Sequence, residues 1–457
     1  MKYAALAAVL LAAACGDDGN ANHDGGPGSD ADPNGYVQVA QESPNPKLDM
    51  LFVIDDTLLD EQLNLATNIP PLLETFDTIA HLTDIHFAVV TSDMGTSSVN
   101  DAPAPSVGQE GQQGACVGHG KAGAFQIGQV EPQNISGTYI DTENTADLVN
   151  TVPFTLAQMV QVGASGCGFE QPLAAMKAAL DGSNGGNAGF LRDDATLAVV
   201  ILTDEDDCSA SHGQTLFSAD TSVVGPMESF RCTRFGVTCS GGGATSDAMN
   251  MAGNKTGCTG STDDTYVEPP SMYVDYLKSL KSDPSNILVN VIAGPTSPFG
   301  VELRAPGSGQ DPIPALAHSC MYTGGDGEEV ADPAVRLQDF ANGFVAANTF
   351  STICQADLSP ATTLIGSLAA AKFGTGCLSQ VTPDADPNTP GLQLDCIVTD
   401  TLNGVDTDVP ACTVGTQPLC WDTTQAGACT DSPHLTLVVH RQVTPDPATI
   451  TRMTCRA

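Results

Sequence analysis

Four near-continuous apolar runs constrain what this chain can fold into: Leu48 to Ile54, Ile85 to Thr91, Leu197 to Thr203 and Ile287 to Ala293. None shows the apolar–polar alternation of a half-exposed strand, so each reads as a strand buried on both faces of a parallel sheet. Helical patterns separate them. Asp60 to about Thr78 carries acidic residues in its first turn, Glu170 to Leu180 has Pro172 in its first turn, where a missing N–H costs nothing, and Met272 to Ser282 follows the third strand. Strands alternating with helices require βαβ crossovers, which predicts an α/β fold with a doubly wound, mostly parallel sheet.

Two segments interrupt this rhythm. Residues 95–150 and 208–268 are rich in Gly, Ser, Thr and Cys and read as elaborated loops within an α/β unit spanning 47–372. A helix from about Ser359 to Ala371 closes that unit. Residues 373–457 change character, with Pro, Asp, Thr and Cys predominating and short alternations such as Leu435 to Val439, and form a small bridged appendage, mostly β or irregular.

The first residues read as an address. Met1-Lys2-Tyr3 is followed by an apolar run, Ala4 to Ala14, too short to span a bilayer and ending at Cys15. Residues 1–14 resemble a bacterial lipoprotein signal with its lipobox, Ala12-Ala13-Ala14-Cys15, although Ala12 stands where that pattern prefers Leu. The resemblance implies cleavage before Cys15, lipidation of its sulfur, and anchoring in the envelope, at the outer membrane or cell surface. Residues 16 to about 46 are dominated by Gly, Asp, Asn and Pro and are expected to form, with Cys15, a lipidated tether over 15–46, reaching about 30 Å.

Fourteen cysteines follow Cys15. None forms a Cys-x-x-Cys pair, so structural zinc is poorly supported and a disulfide framework of up to seven bridges, made in an oxidising compartment, is the reading. Connectivity is not deducible, but Cys232–Cys239 and Cys412–Cys420 are close enough in sequence for local loops. With 16 Lys plus Arg against 54 Asp plus Glu, the net charge of −38 repels phosphate backbones and excludes direct nucleic-acid binding.

Ligand sites of open α/β sheets lie at the carboxyl ends of strands, and two strands here end in carboxylates, Asp55 and Asp204. With Leu-Phe-Val-Ile-Asp-Asp-Thr at 51–57 and Val-Ile-Leu-Thr-Asp-Glu-Asp at 200–206, the chain resembles a von Willebrand factor type A domain, especially its secreted, cysteine-rich bacterial versions. In that family the first strand ends in Asp-x-Ser-x-Ser. With a Thr and an Asp from two further loops this forms a metal-ion-dependent adhesion site, whose open position takes a carboxylate from the partner. The resemblance covers roughly residues 46–375. It implies one divalent cation (Mg²⁺, Mn²⁺ or Ca²⁺) with Asp55 at the first Asp, Thr57 at the first Ser and Asp204 at the later Asp. Leu59 replaces the second Ser and cannot ligate. Ser165, in Gly163-Ala164-Ser165-Gly166-Cys167-Gly168, is the candidate for the Thr. The opposing reading makes Asp55 and Asp204 helix caps or acceptors of backbone N–H groups at the sheet's crest.

The implied role is partner binding without catalysis, the partner being a protein or other macromolecule. The rival from another class is a hydrolase using paired carboxylates around Asp204–Asp207, which requires a second carboxylate or histidine converging in a pocket. A structural envelope component is a third reading. The acidic run Asp204 to Asp207 lacks the spacing of a calcium loop and reads as a solvated turn. His86, inside a strand, reads as a core residue, and Trp421, beside Cys420, as local packing against a bridge.

Overall fold

The computed structural model describes residues 36–456, apart from 99, 149, 308, 326, 381–382, 386–387, 389–392, 414–416, 427–428 and 430–433. The signal segment, Cys15 and most of the expected tether therefore lie outside the described residues.

The fold is mixed α/β. In chain order its main elements are β1 (Tyr36–Glu42), β2 (Lys47–Ile54), α1 (Asp60–Phe76), β3 (Asp84–Thr91), β4 (Ile140–Asp141), α2 (Val152–Met159), α3 (Pro172–Leu180) and β5 (Thr196–Leu202). They continue as α4 (Pro270–Ser279), β6 (Ile287–Ala293), α5 (Val335–Asn342), β7 (Asn348–Thr352) and α6 (Ser359–Phe373). Six strands make one mixed sheet in the order β7-β6-β5-β2-β3-β4. All neighbours are parallel except the short edge strand β4.

The four apolar runs of the sequence are the four inner strands, each buried along nearly its whole length. Side chains of alternate parity enter two cores, one on each face of the sheet. Met50, Phe52 and Ile54 pack with Leu65 and Ile69 of α1, Leu156 of α2 and Ile365 of α6. Leu51 and Val53 pack on the other face with Leu173 of α3, Leu277 of α4 and Phe340 of α5. Each such side chain, fully removed from water, contributes roughly 1.5–3 kcal/mol before entropy is counted. The ladder pairs Ile54 with both Thr91 and Leu202, which brings Asp55, Ser92 and Thr203 to one level at the carboxyl edge.

The expected tether ends too late. Tyr36 to Glu42 is a strand, buried at Val39 and Ala40, and pairs antiparallel with the last strand of the chain, β12 (Ile450–Arg456). The Val37-Gln38-Val39 alternation carried this signal, but a partner more than 400 residues away is invisible locally. With β8 (Cys396–Leu402) and β9 (Val405–Val409), these strands form a second sheet, ordered β1-β12-β8-β9. A hairpin of β10 (Leu419–Gln425) and β11 (Leu435–Arg441) packs on it, with Trp421, Leu437 and Met453 in a shared small core. The appendage is thus built from both ends of the described chain.

All fourteen cysteines after Cys15 are paired: 116–167, 208–232, 239–258, 320–354, 377–429, 396–455 and 412–420. The local Cys412–Cys420 loop is present. Cys232–Cys239 is not: Cys239 stands opposite Cys258 in an antiparallel ladder, and Cys232, on the helix Phe230–Gly236, meets Cys208. Ladder register overrides sequence proximity.

Candidate functional site

The crest of the main sheet is built from three loops. After β2 the chain turns so that Asp55 Oδ1 accepts from both the backbone N–H of Thr57 (2.9 Å) and its hydroxyl (2.7 Å), a local turn that Asp favours. Asp55 Oδ2 accepts from the Thr203 hydroxyl at the end of β5 (2.8 Å). From the third loop, just before α3, Glu170 Oε1 lies 3.3 Å from Thr57 Oγ1. Gln62 of α1 ties the loops together, donating to the carbonyls of Asp55 and Gly163 and accepting from Gly163 N–H.

The 163–168 loop is held down by the Cys116–Cys167 bridge and by Gly166, whose N–H donates to Asp56 O (2.7 Å). A Cβ at Gly166 would overlap the Asp56 carboxylate, so only glycine fits. Asp56 itself is buried and pairs with Lys121 (2.6 Å).

The electrostatics are one-sided. Burial pushes the Asp55 carboxyl up to about 6, and Asp56 adds repulsion. Burial raises Glu170 well above the carboxylate range, reinforced by Glu205, Asp55 and Asp204. Asp204 is raised well above its ordinary value by burial and then by Asp55, Glu205, Glu61 and Asp332. Glu205, which interacts with Glu170 and Ser229, is pushed up to about 8 by burial and by Asp332 and Asp55. The charges raising these groups are all carboxylates. Glu170 Oε2 is buried with no hydrogen-bond partner, a costly state for an ionised oxygen.

The rest of the acidic run has other work. Asp206, pushed up to about 7 by burial, accepts from the N–H groups of Arg336 and Leu337 at the start of α5. Asp207 pairs with the fully buried Arg336 (2.8 Å) and accepts from Leu173 N–H at the start of α3. Asp204 to Asp207 is therefore not one solvated turn: its first two residues join the crest cluster and its last two cap helices.

The structure brings Asp55 and Thr57 into contact and places Asp204 within their electrostatic reach. Ser165 sits in the adjoining loop and is exposed; the side chain that meets Thr57 from that segment is Glu170. Leu59 is exposed before α1. Sequence reading missed Glu170 and Glu205. Glu170 lay hidden as the first residue of a predicted helix that in fact begins at Pro172. No three carboxylates of the crest have oxygens within 4.8 Å of one another. A cation there fits two carboxylates completed by the Thr57 hydroxyl and water, and the orphaned Glu170 oxygen and all-oxygen donor set suit a hard ion. Among the described residues, the group with such spacing is Cys412, Asp422 and His440, but Cys412 is bridged to Cys420 and offers no thiolate. His86 is a buried core residue, its Nδ1 2.8 Å from Phe190 O.

Beside the crest lies a cleft of about 210 Å³. Asp204 and Glu205 form one side of it, Phe230 and Ser229 of the 208–268 insertion another, and Ile313, Leu316 and Val330 from two hairpins, with His318 from the link between them, the third.

No known family profile matches this chain, and no curated protein matches it. Among solved structures, the pilus adhesin SpaC from Lactobacillus rhamnosus GG aligns over 92% of this chain and 40% of its own, with 8% identity and a TM-score of 0.31. The pilus adhesin RrgA from Streptococcus pneumoniae aligns over 92% and 58%, with 13% identity and a TM-score of 0.21. The chain spans about half the length of these two proteins.

Proposed function

We propose that this is a surface protein of the bacterial envelope, anchored by lipid at Cys15, that binds a macromolecular partner and carries out no catalysis. Its α/β unit is read as a doubly wound type A-like domain, with recognition at the crest. The observation that supports this most is the convergence at the crest of buried Asp55 and Glu170 with half-buried Asp204 and Glu205, each raised by desolvation and by neighbouring carboxylates without a compensating cation. Such a cluster is costly unless it serves a ligand.

Asp55, Thr57 and Glu170 would hold one divalent cation, with Asp204 and Glu205 completing the field around it. A bound cation supplies an open position for a partner oxygen. The chain's own residues do the rest: Gln62 fixes the distance between the first and third loops, Thr203 orients Asp55, and the disulfide at Cys167 keeps the third loop in place. Seven disulfides fit an oxidising, extracytoplasmic location.

The test is calorimetric titration of the oxidised, metal-stripped protein with Mg²⁺, Mn²⁺ and Ca²⁺. Saturable heat that disappears in Asp55→Ala is expected; heat unchanged in that variant, or none in the parent, overturns the cation reading.

One observation favours a second reading. Glu205, held near 8 at the edge of a cleft, has the protonation state of a general acid. Hydrolysis of chromogenic glycosides or esters that is lost in Glu205→Gln would establish a hydrolase instead.

A further inference from the structure

The cleft beside the crest has a lining that the cation site does not explain. Two of its walls are largely apolar, with Phe230, Ile313, Pro314, Leu316 and Val330, while one side is acidic, with Asp204 and Glu205. Glu228 stands at its exposed edge. The cations of the lining are already engaged. Arg336 is taken by Asp207, Arg304 by Glu302 and the Leu316 carbonyl, and His318 by Asp332 at 2.7 Å.

An apolar cleft with one acidic side matches a side chain that has an alkyl stem and a cationic head. The volume lies below the roughly 300–1,000 Å³ of whole-ligand pockets, leaving room for a single long side chain. A second observation points the same way. Asp204 and Glu205 pair with no Lys, Arg or His among the described residues, so the acidic side of the cleft has no counter-charge of its own.

We infer that this cleft is a subsite for an arginine or lysine side chain presented by a protein partner. The inference rests on the partner-binding reading above and specifies the partner's chemistry: a basic residue set beside the group that meets the crest. The apolar walls come from the 208–268 insertion and from two hairpins between β6 and α5, whereas the acidic side belongs to the crest, so the walls can be altered without touching the residues that would hold the cation.

The test uses the full oxidised chain and methyl NMR of Ile313, Leu316 and Val330. The probes are the blocked amides Ac-Arg-NHMe, Ac-Lys-NHMe, Ac-Nle-NHMe and Ac-Glu-NHMe. Saturable shifts with the basic amides are expected, with affinity about tenfold above the norleucine amide, equivalent to about 1.4 kcal/mol. Equal binding of norleucine, preference for the glutamate amide, or no shift at the solubility limit of the probes each overturns the proposal. Ala315→Trp, which fills the cleft, should abolish the shifts seen with the basic amides, now read at Val330, while leaving divalent-cation heat unchanged; shifts that persist overturn it. Loss of cation heat in the parent with retained arginine binding would sink the cation reading alone, and the reverse would sink the subsite alone.

Discussion

Replacing Asp55 by Asn separates a binding role from a capping role. The carboxyl is buried, and its displacement from 3.8 to about 6 is equivalent to about 3 kcal/mol of penalty on the ionised folded state. The sign follows from linkage. A carboxyl raised on folding costs nothing below its unfolded value near 4, and the penalty grows as pH climbs from there through about 6 and is complete above it. Asparagine keeps an acceptor for the Thr57 N–H and hydroxyl, and its amide can donate to the Thr203 hydroxyl, so the local turn survives. In chelator at about pH 7.5, Asp55→Asn should therefore be more stable than the parent by up to about 3 kcal/mol, a rise in melting temperature of about 5 °C for a unit of this size. Near pH 4 the two should coincide. Added Ca²⁺ or Mn²⁺ should stabilise the parent and leave the variant unmoved. Thermal unfolding by circular dichroism at the two pH values, with and without cation, reads all three. A variant less stable than the parent at neutral pH, with no cation response in either, would show that Asp55 is a cap and refute the reasoning.

Three further outcomes are expected. Gly166→Ala drives a methyl into the Asp56 carboxylate and should separate the third loop from the first, lowering cation affinity more than tenfold in the same titration, with the melting temperature reduced as well. Arg336→Met leaves Asp207 and the carbonyls of Gly236 and Glu268 buried without their donor and should cost about 3–5 kcal/mol in urea unfolding; a cost below 1 kcal/mol would show the pair is not holding the Asp207 loop. His81, beside buried Glu42 on β1, is raised above its ordinary value by that carboxylate. Its contribution is complete below about pH 6.5 and fades as pH rises through the raised value, so over that interval, where the raised carboxyls of both proteins also ionise, the parent should lose more stability than His81→Gln, as melting curves across that range would show.

What the sequence determined by itself is the layered α/β unit. Runs such as Leu197 to Leu202 are apolar on both faces, and a strand of that kind is stable only between two helical layers, so composition and period alone dictate the buried parallel strands and the level at which Asp55 and Asp204 emerge. The disulfide framework followed likewise from fourteen cysteines. Three things required the tertiary structure, all for the same reason: they are pairings between residues remote in sequence. Tyr36 to Glu42 resembles its tether until β12 supplies the missing ladder partner. Cys239 finds Cys258 and not Cys232 because ladder register sets the distance. Glu170 meets Thr57 across 113 residues because Gln62 and a disulfide draw two loops together, and Glu205 becomes perturbed only when folding removes it from water and sets Asp332 and Asp55 nearby. A carboxylate's chemistry depends on what surrounds it in space, and chain order does not carry that information.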